Sequence, residues 1–266
     1  MTFSVEGKTA IVTGAAHGVG LAIGRHLVDA GAKVMFADMD EEQLEAEVDP
    51  DPDHAGRFAG DLRERLTLAN LMSATIDAFD RVDILVNASR EVLASDPLSP
   101  ADDAVEQLLQ QNLMTSLRLS QLAAKRMISQ AEETEDDGRP AGSIINLSSI
   151  AARRTHPQLL AFSVSAAALD QLTRSLAVAL APNRIRVNAV AFGSVMSSSL
   201  KHTLKEKTDY RDNIVDHTPL QRIASPTEVA DTVQFLASEG SGFMTGQILT
   251  VDGGRTLLDP VDAPAH

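Results

Sequence analysis

The chain has 266 residues, 44% of them apolar, which is enough to bury a full hydrophobic core. Its net charge of −14 argues against a nucleic-acid groove or a site for an anionic membrane surface, because both require clustered lysine and arginine. The absence of cysteine excludes disulfides and thiolate metal ligands, and no metal site is expected.

The first residues give no sign of a targeting segment. MTFSVEGKTAIVTG enters a buried type of strand at once and lacks a basic segment followed by an apolar one. No run of 18 or more apolar residues occurs anywhere in the chain. We therefore expect a soluble cytoplasmic protein that neither crosses nor binds a membrane.

Short β-branched runs alternate with longer helical patterns along the whole chain. Strands are predicted at residues 9–12, 33–37, 57–59, 83–86, 143–147, 184–190 and 247–251. Most of these runs are apolar on both faces, which is typical of parallel strands buried between layers of helices. Right-handed crossovers then predict a single α/β domain over residues 1–266, with a doubly wound, Rossmann-type parallel sheet of about seven strands and helices on both faces.

A glycine-rich turn follows the first predicted strand. The sequence AAHGVG places Gly14, Gly18 and Gly20 where glycine permits a tight backbone and leaves a helix N-terminus open to a pyrophosphate. Asp38, eighteen residues after Gly20, lies where a carboxylate accepts the ribose hydroxyls of an adenosine and repels a 2′-phosphate. This pattern favours NAD(H) over NADP(H). The alternative role for Asp38 is the N-cap of the acidic helix that follows.

With these motifs the chain resembles the short-chain dehydrogenase/reductase family over nearly its whole length. TGAAHGVG is similar to the family's TGxxxGxG, GDL at residues 60–62 to its adenine-pocket strand end, and INLSS to its catalytic-serine strand. The stretch PLQRIASPTEVADTVQFLASEGSGFMTGQILTVDGG is similar to its closing helix and strand. The spacings of 25 residues from Asn87 to Asn112 and 13 residues from Ser149 to Phe162 also match the family.

The resemblance implies a set of cofactor contacts. They are Gly14, His17, Gly18, Val19, Gly20, Asp38, Asp61, Leu62, Asn87, Arg90, Val195 and Ser197. Two positions depart from the family at the nicotinamide end, where Arg90 replaces the glycine of NNAG and Phe192 replaces the proline before Gly193. Arg90 either pairs with a phosphate or fills the space of the nicotinamide ribose, so occupancy by the cofactor stays open.

The catalytic positions implied by the resemblance are only partly retained. Ser149 and Asn112 are present, whereas Phe162 and Ala166 stand at the positions of the family's tyrosine and lysine. In the family, the tyrosine moves the proton and the lysine, one helical turn on, lowers the phenol's pKa from about 10 and holds the ribose. A positioned general acid contributes about 10²- to 10⁴-fold in rate, and neither Phe162 nor Ala166 can act as one.

Other side chains near these positions are candidate substitutes for the missing proton donor. His156 lies in the loop before the helix of Phe162, and histidine is a residue type suited to proton transfer near neutral pH, although a surface role is commoner for such a histidine. Ser163 and Ser165 are expected on other helix faces than Phe162. Tyr210, the only tyrosine, falls in the variable substrate lid that the resemblance predicts at about residues 198–217.

The acidic segment at about residues 129–142 lies outside the motifs. It is predicted to be a solvated insertion loop, and the alternative is a docking surface for a basic partner.

Three hypotheses of function follow. The first is a catalytically silent subunit that supports an active family member in a homo- or hetero-oligomer, associating through the helices of Asn112 and Phe162 and the last strand. The second is an atypical NAD(H)-dependent oxidoreductase for a hydroxy, keto or enoyl small molecule, protonated by water or by the substrate itself. The third is a sensor of NAD occupancy.

Overall fold

A parallel sheet forms the centre of the molecule. The computed structural model of the protein describes residues 3–99, 101, 103–133, 138 and 140–259. Within them the seven strands of the sheet are β1 Thr9–Thr13, β2 Lys33–Asp38, β3 Ala55–Ala59, β4 Ile84–Asn87, β5 Gly142–Ser149, β6 Ile185–Phe192 and β7 Ile248–Val251. All neighbours are parallel, in the order β3-β2-β1-β4-β5-β6-β7. The sheet confirms the predicted doubly wound α/β fold.

Helices cover both faces of the sheet. They are α1 Gly18–Asp29, α2 Glu41–Glu47, α3 Arg65–Phe79, α4 Ala104–Leu108, α5 Thr115–Glu132, α6 Leu160–Leu180, α7 Ser198–Glu206, α8 Asp209–Asp216 and α9 Pro226–Ala237. Helices α1 and α9 pack on one face, and α3, α5 and α6 pack on the other. Along β2, Val34 and Phe36 face the first layer while Met35 and Ala37 face the second. This alternation explains why the strand is apolar throughout.

The strand order reverses between β1 and β4. From β1 the chain builds outward through β2 and β3, then returns to place β4 on the other side of β1. In open parallel sheets, ligands bind in the crevice outside the carboxyl ends of the strands at such a switch point. The fold therefore predicts a ligand site among the loops that follow β1, β2, β4 and β5.

The acidic segment differs from its prediction at its start. Helix α5 continues to Glu132, so residues 129–132 are helical, and β5 begins at Gly142. The helix persists because the Gln130 side chain accepts from the Val82 N–H at 2.8 Å and donates to the Val82 carbonyl at 2.9 Å, which ties the end of α5 to the loop before β4. Residues 134–137 and 139, in the middle of the predicted loop, lie outside the described residues.

In the part of the chain that the structure describes, no helix combines the length and the apolar character needed to cross a membrane.

Candidate functional site

The turn between β1 and α1 has room only for glycine at two positions. Gly14 has φ of 64°, and a Cβ there would lie 2.7 Å from the Ser89 Cα in the loop after β4. A Cβ on Gly20 would lie 2.1 Å from the Gly14 carbonyl oxygen. Helix α1 therefore starts directly against the end of β1. Its N-terminus faces the switch point, where backbone N–H groups and the helix dipole favour an anionic group.

Asp38, the last residue of β2, is tied to this turn. Its Oδ2 accepts from the Ala16 N–H at 3.0 Å, and its Oδ1 accepts from the Asp40 N–H at 3.2 Å. The N-cap of α2 is Asp40, whose side chain accepts from the Gln43 N–H at 3.1 Å. The alternative role of Asp38 as N-cap is therefore wrong. Its carboxylate instead fixes the glycine turn and lines the cavity beside it.

A cavity of about 660 Å³ opens along the turn, a size typical of ligand sites. It brings together most of the predicted cofactor residues, namely Gly14, His17, Gly18, Val19, Gly20, Asp38, Asp61, Leu62, Arg90 and Ser197. Arg63, Glu91 and Gln111 also line it, although no motif singles them out. Each is adjacent in the sequence to a predicted site residue, and this adjacency is the feature from which their place in the site could have been predicted.

Several predicted residues lie elsewhere. Val195 is buried and bridges to Ala224, outside the cavity. His156 is exposed at the start of a 3-10 turn, where its Nδ1 accepts from the Gln158 N–H at 3.2 Å. Tyr210 is partly exposed on α8, and its hydroxyl accepts from the Lys207 ammonium at 3.2 Å. The structure thus places neither of the last two side chains in the cavity.

The residues at the predicted catalytic positions meet in a second, very small cavity at the ends of β4 and β5. It holds about 10 Å³, which is the space of a single water, and Ser149, Phe162 and Ala166 line it together with Asn87 and Asn112. The Ser149 hydroxyl already accepts from the Ala151 N–H at 3.1 Å. The register inferred from sequence spacing therefore agrees with the geometry.

The expectation that Ser165 projects from another helix face than Phe162 is wrong. Ser165 lines the same small cavity, and its hydroxyl donates to the Phe162 carbonyl at 3.0 Å. A residue three positions further along a helix lies on the same side as the first, which accounts for the placement. Ser163 is also buried, but its hydroxyl has no hydrogen-bond partner among the described residues and it does not line this cavity.

Arg90 stands between the two cavities and lines both of them. Its guanidinium carbon lies 4.1 Å from the centroid of the Phe192 ring and 5.8 Å from that of Phe162. Burial lowers the pKa of Arg90 to about 10, so the group stays charged at neutral pH. Both rings stand at positions where the sequence is predicted to depart from the resembled family, and the structure places them beside the one guanidinium.

Asn112 holds the loop that carries Arg90. Its Oδ1 accepts from the Glu91 N–H at 2.8 Å, and its Nδ2 donates to the Glu91 carbonyl at 3.0 Å and to the Ser165 hydroxyl at 3.2 Å. Asn112 can point this way because it lies in a π-helical segment, Leu109–Met114, between α4 and α5. The asparagine therefore positions backbone beside Arg90.

The two halves of a dinucleotide would fit this site differently. The glycine turn, Asp38 and the large cavity suit an adenosine diphosphate, because its phosphates would meet the start of α1 and its ribose the end of β2. The nicotinamide half would extend toward β4 and β5, where Arg90 lies over Phe192 and only about 10 Å³ is open. The present side chains fit the first half and not the second.

The fold and the glycine turn define a Rossmann-type α/β protein. Residues 14–256 match the family model described as enoyl-(acyl carrier protein) reductase. The chain is 31% identical to the 7α-hydroxysteroid dehydrogenase of Escherichia coli K12 over 94% of both chains. It is 32% identical to the L-fucose dehydrogenase of Mus musculus, covering 95% of this chain and 89% of that one.

Solved structures agree with the sequence matches. The structure of a 7α-hydroxysteroid dehydrogenase complexed with NADH and 7-oxoglycochenodeoxycholic acid superposes with a TM-score of 0.86 at 29% identity, covering 95% of this chain and 96% of that one. The chain belongs to the short-chain dehydrogenase/reductase family.

Proposed function

We propose that this chain is a short-chain dehydrogenase/reductase without turnover of its own, which supports an active subunit of the same family. The observation that carries the proposal is the composition of the small cavity. Ser149 lines it beside Phe162 and Ala166, so a bound carbonyl group would meet neither a phenol nor an ammonium there. Ser149 is therefore present at the proposed reaction site, but the residues that line it include no phenol or ammonium to move the proton.

The remaining side chains do not replace that group. A serine hydroxyl is a poor acid at neutral pH, and His156 lies on the surface rather than in the cavity. Arg90 is charged, but an arginine holds its proton too tightly to give it to an alkoxide at neutral pH. These residues therefore cannot supply the rate enhancement of about 10²- to 10⁴-fold that a positioned general acid contributes.

A supporting role requires a surface for a second subunit. Helix α6 exposes Val164 and Val178, with 43% and 78% of their surface open to solvent. Phe243 and Leu257, near β7, are exposed by 106% and 85%. These apolar side chains lie on or near the elements predicted to associate, and they favour an oligomer over a free monomer.

Native co-purification from the source cells tests the supporting role. We expect the tagged chain to bring down a second short-chain dehydrogenase/reductase that carries the tyrosine and lysine, and Val178→Asp to reduce its recovery about tenfold or more by placing a charge in the interface. Leu66→Asp makes the same kind of change at a residue of α3 that is 73% exposed, and it serves as the control because α3 is not among the elements predicted to associate. Recovery of a homo-oligomer alone, with turnover of its own, would remove the proposal.

The description of the matching family model favours a second candidate, an atypical reductase that acts on an enoyl C=C bond. Reduction there forms no alkoxide, so a phenol next to the carbonyl is less essential. This candidate predicts oxidation of NADH with an enoyl thioester, at a rate that falls in Ser149→Ala and persists in Phe162→Ala. A panel of ketones and enoyl compounds that leaves NADH unchanged would exclude it.

Asp38 supports a preference for a nucleotide with a free 2′-hydroxyl, as in NAD(H). Its carboxylate lines the large cavity and is fixed by two backbone N–H groups, so it cannot turn away from a 2′-phosphate. The isosteric variant Asp38→Asn keeps the shape, removes the charge and retains an acceptor oxygen for the Ala16 N–H, while the longer bond from the Asp40 N–H is lost. We expect the 2′-phosphate penalty, measured by calorimetry with ADP and 2′-phospho-ADP, to fall roughly tenfold in this variant. An unchanged ratio would contradict the assignment.

A further inference from the structure

We propose that Arg90 makes this site a receptor for a nucleoside diphosphate that ends at its second phosphate, and that the same side chain excludes the nicotinamide half of a dinucleotide. The inference rests on the proposed function in one respect only, because a site that turned over NADH would have to admit the nicotinamide.

The first step is charge. Three basic side chains line the large cavity. Arg63 forms a two-pronged pair with Asp61, with distances of 2.6 to 3.0 Å, and His17 lies 2.9 Å from Asp40. Among the residues that the structure describes, Arg90 has neither an acidic partner nor a hydrogen bond, and its contacts are the two aromatic rings. Arg90 is therefore the one of these three basic side chains without an ion pair, in a cavity that the carboxylates of Asp38 and Glu91 also line.

The second step is position. The Thr13 hydroxyl at the end of β1 accepts from the N–H groups of Ala88 and Ser89, both at 3.0 Å. These bonds hold the loop after β4 directly against the glycine turn, one residue before Arg90. The clamp of Asn112 on Glu91 fixes the loop one residue after it. A diphosphate at the start of α1 would therefore lie within the reach of the arginine side chain.

The third step is orientation. Phe192 lies against the guanidinium at 4.1 Å and Phe162 at 5.8 Å, so aromatic carbon covers its planar face. A guanidinium stacked on a ring keeps its N–H groups in the plane, where they form paired hydrogen bonds with phosphate oxygens. Partly burying a cation with no ion-pair partner is unfavourable, and an arriving phosphate would offset that cost.

The fourth step is space. About 660 Å³ is open on the glycine side of Arg90 and about 10 Å³ on the side of Ser149. The arginine and the two rings fill the region toward β5 and β6. A ligand that ends at its second phosphate needs only the first volume, whereas a dinucleotide needs both.

Calorimetric titration of the full chain with ADP, AMP and NAD⁺ tests the inference. We expect the parent to bind ADP at least tenfold more tightly than either AMP or NAD⁺. Arg90→Gln keeps the bulk and removes the charge, so it should lose the preference for ADP over AMP and gain nothing for NAD⁺. Arg90→Gly removes both, so it should also gain at least tenfold in affinity for NAD⁺. Thermal unfolding verifies that each variant is folded.

Arg154→Gly is the matched control, because it removes the same charge from an exposed loop that lines neither cavity, and it should change none of the three affinities. Equal affinity of the parent for NAD⁺ and ADP would overturn the inference, as would an unchanged ratio of ADP to AMP in Arg90→Gln. NADH oxidation is measured separately. Turnover by the parent would refute the proposed function, whereas lost ADP selectivity without turnover would refute only the role of Arg90.

Discussion

The triple variant Phe162→Tyr, Ala166→Lys, Arg90→Gly is expected to reduce ketones with NADH about 10²- to 10⁴-fold faster than the parent protein. The first two changes return a phenol and an ammonium to one side of α6, facing Ser149 across the small cavity. The third vacates the volume that Arg90 occupies over Phe192, and both the nicotinamide and the new lysine need this volume. Oxidation of NADH, followed by its absorbance across a panel of ketones, measures the gain.

Two partial variants serve as controls for this result. The double variant Phe162→Tyr, Ala166→Lys should stay near the parent rate because the guanidinium still blocks the cofactor. Arg90→Gly alone should bind NAD⁺ without reducing a ketone, because no proton donor is present. If the double variant were as active as the triple, Arg90 would not obstruct the site. If the folded triple variant bound NADH and remained silent, the loss of the tyrosine and lysine would not be a sufficient cause.

Gly20→Ala is expected to destabilise the fold by about 2–3 kcal/mol and to abolish nucleotide binding. Helix propensity alone would give the opposite sign, because alanine is favoured over glycine in a helix by about 1 kcal/mol. The added Cβ would lie 2.1 Å from the Gly14 carbonyl oxygen, so backbone must move where the phosphates would bind. Urea unfolding measures the free energy, and calorimetry with ADP measures the binding.

Gly7→Ala provides the comparison for this prediction. Gly7 has φ of 73°, but a Cβ there meets nothing within 4 Å. Its cost is therefore the conformational strain alone, about 1 kcal/mol, with ADP affinity unchanged. Equal losses in the two variants would mean that the close approach of α1 to β1 contributes nothing.

The strands were predictable because each is a short apolar run between helical patterns, and burial on both faces leaves few other sequences possible. The end of α5 was not predictable, because Gln130 stabilises it through two hydrogen bonds to Val82, which lies far away in the sequence. The acidic composition around it indicated only a solvated segment. Local composition does not indicate a hydrogen bond between residues that are distant in the sequence.

The parallel α/β fold and the glycine turn follow from the sequence, as does the prediction that Phe162 and Ala166 stand at the positions of the family's tyrosine and lysine, because all of these depend on residue type and spacing along one chain. From sequence alone, two roles were open for Arg90, pairing with a phosphate or filling the space of the ribose, and two for Asp38, binding a ribose or capping a helix. The folded chain shows that Asp38 fixes the turn while Asp40 caps the helix, and that Arg90 lies beside Phe162 and Phe192. Those contacts join residues from different strands and helices, so their distances exist only after the chain has folded.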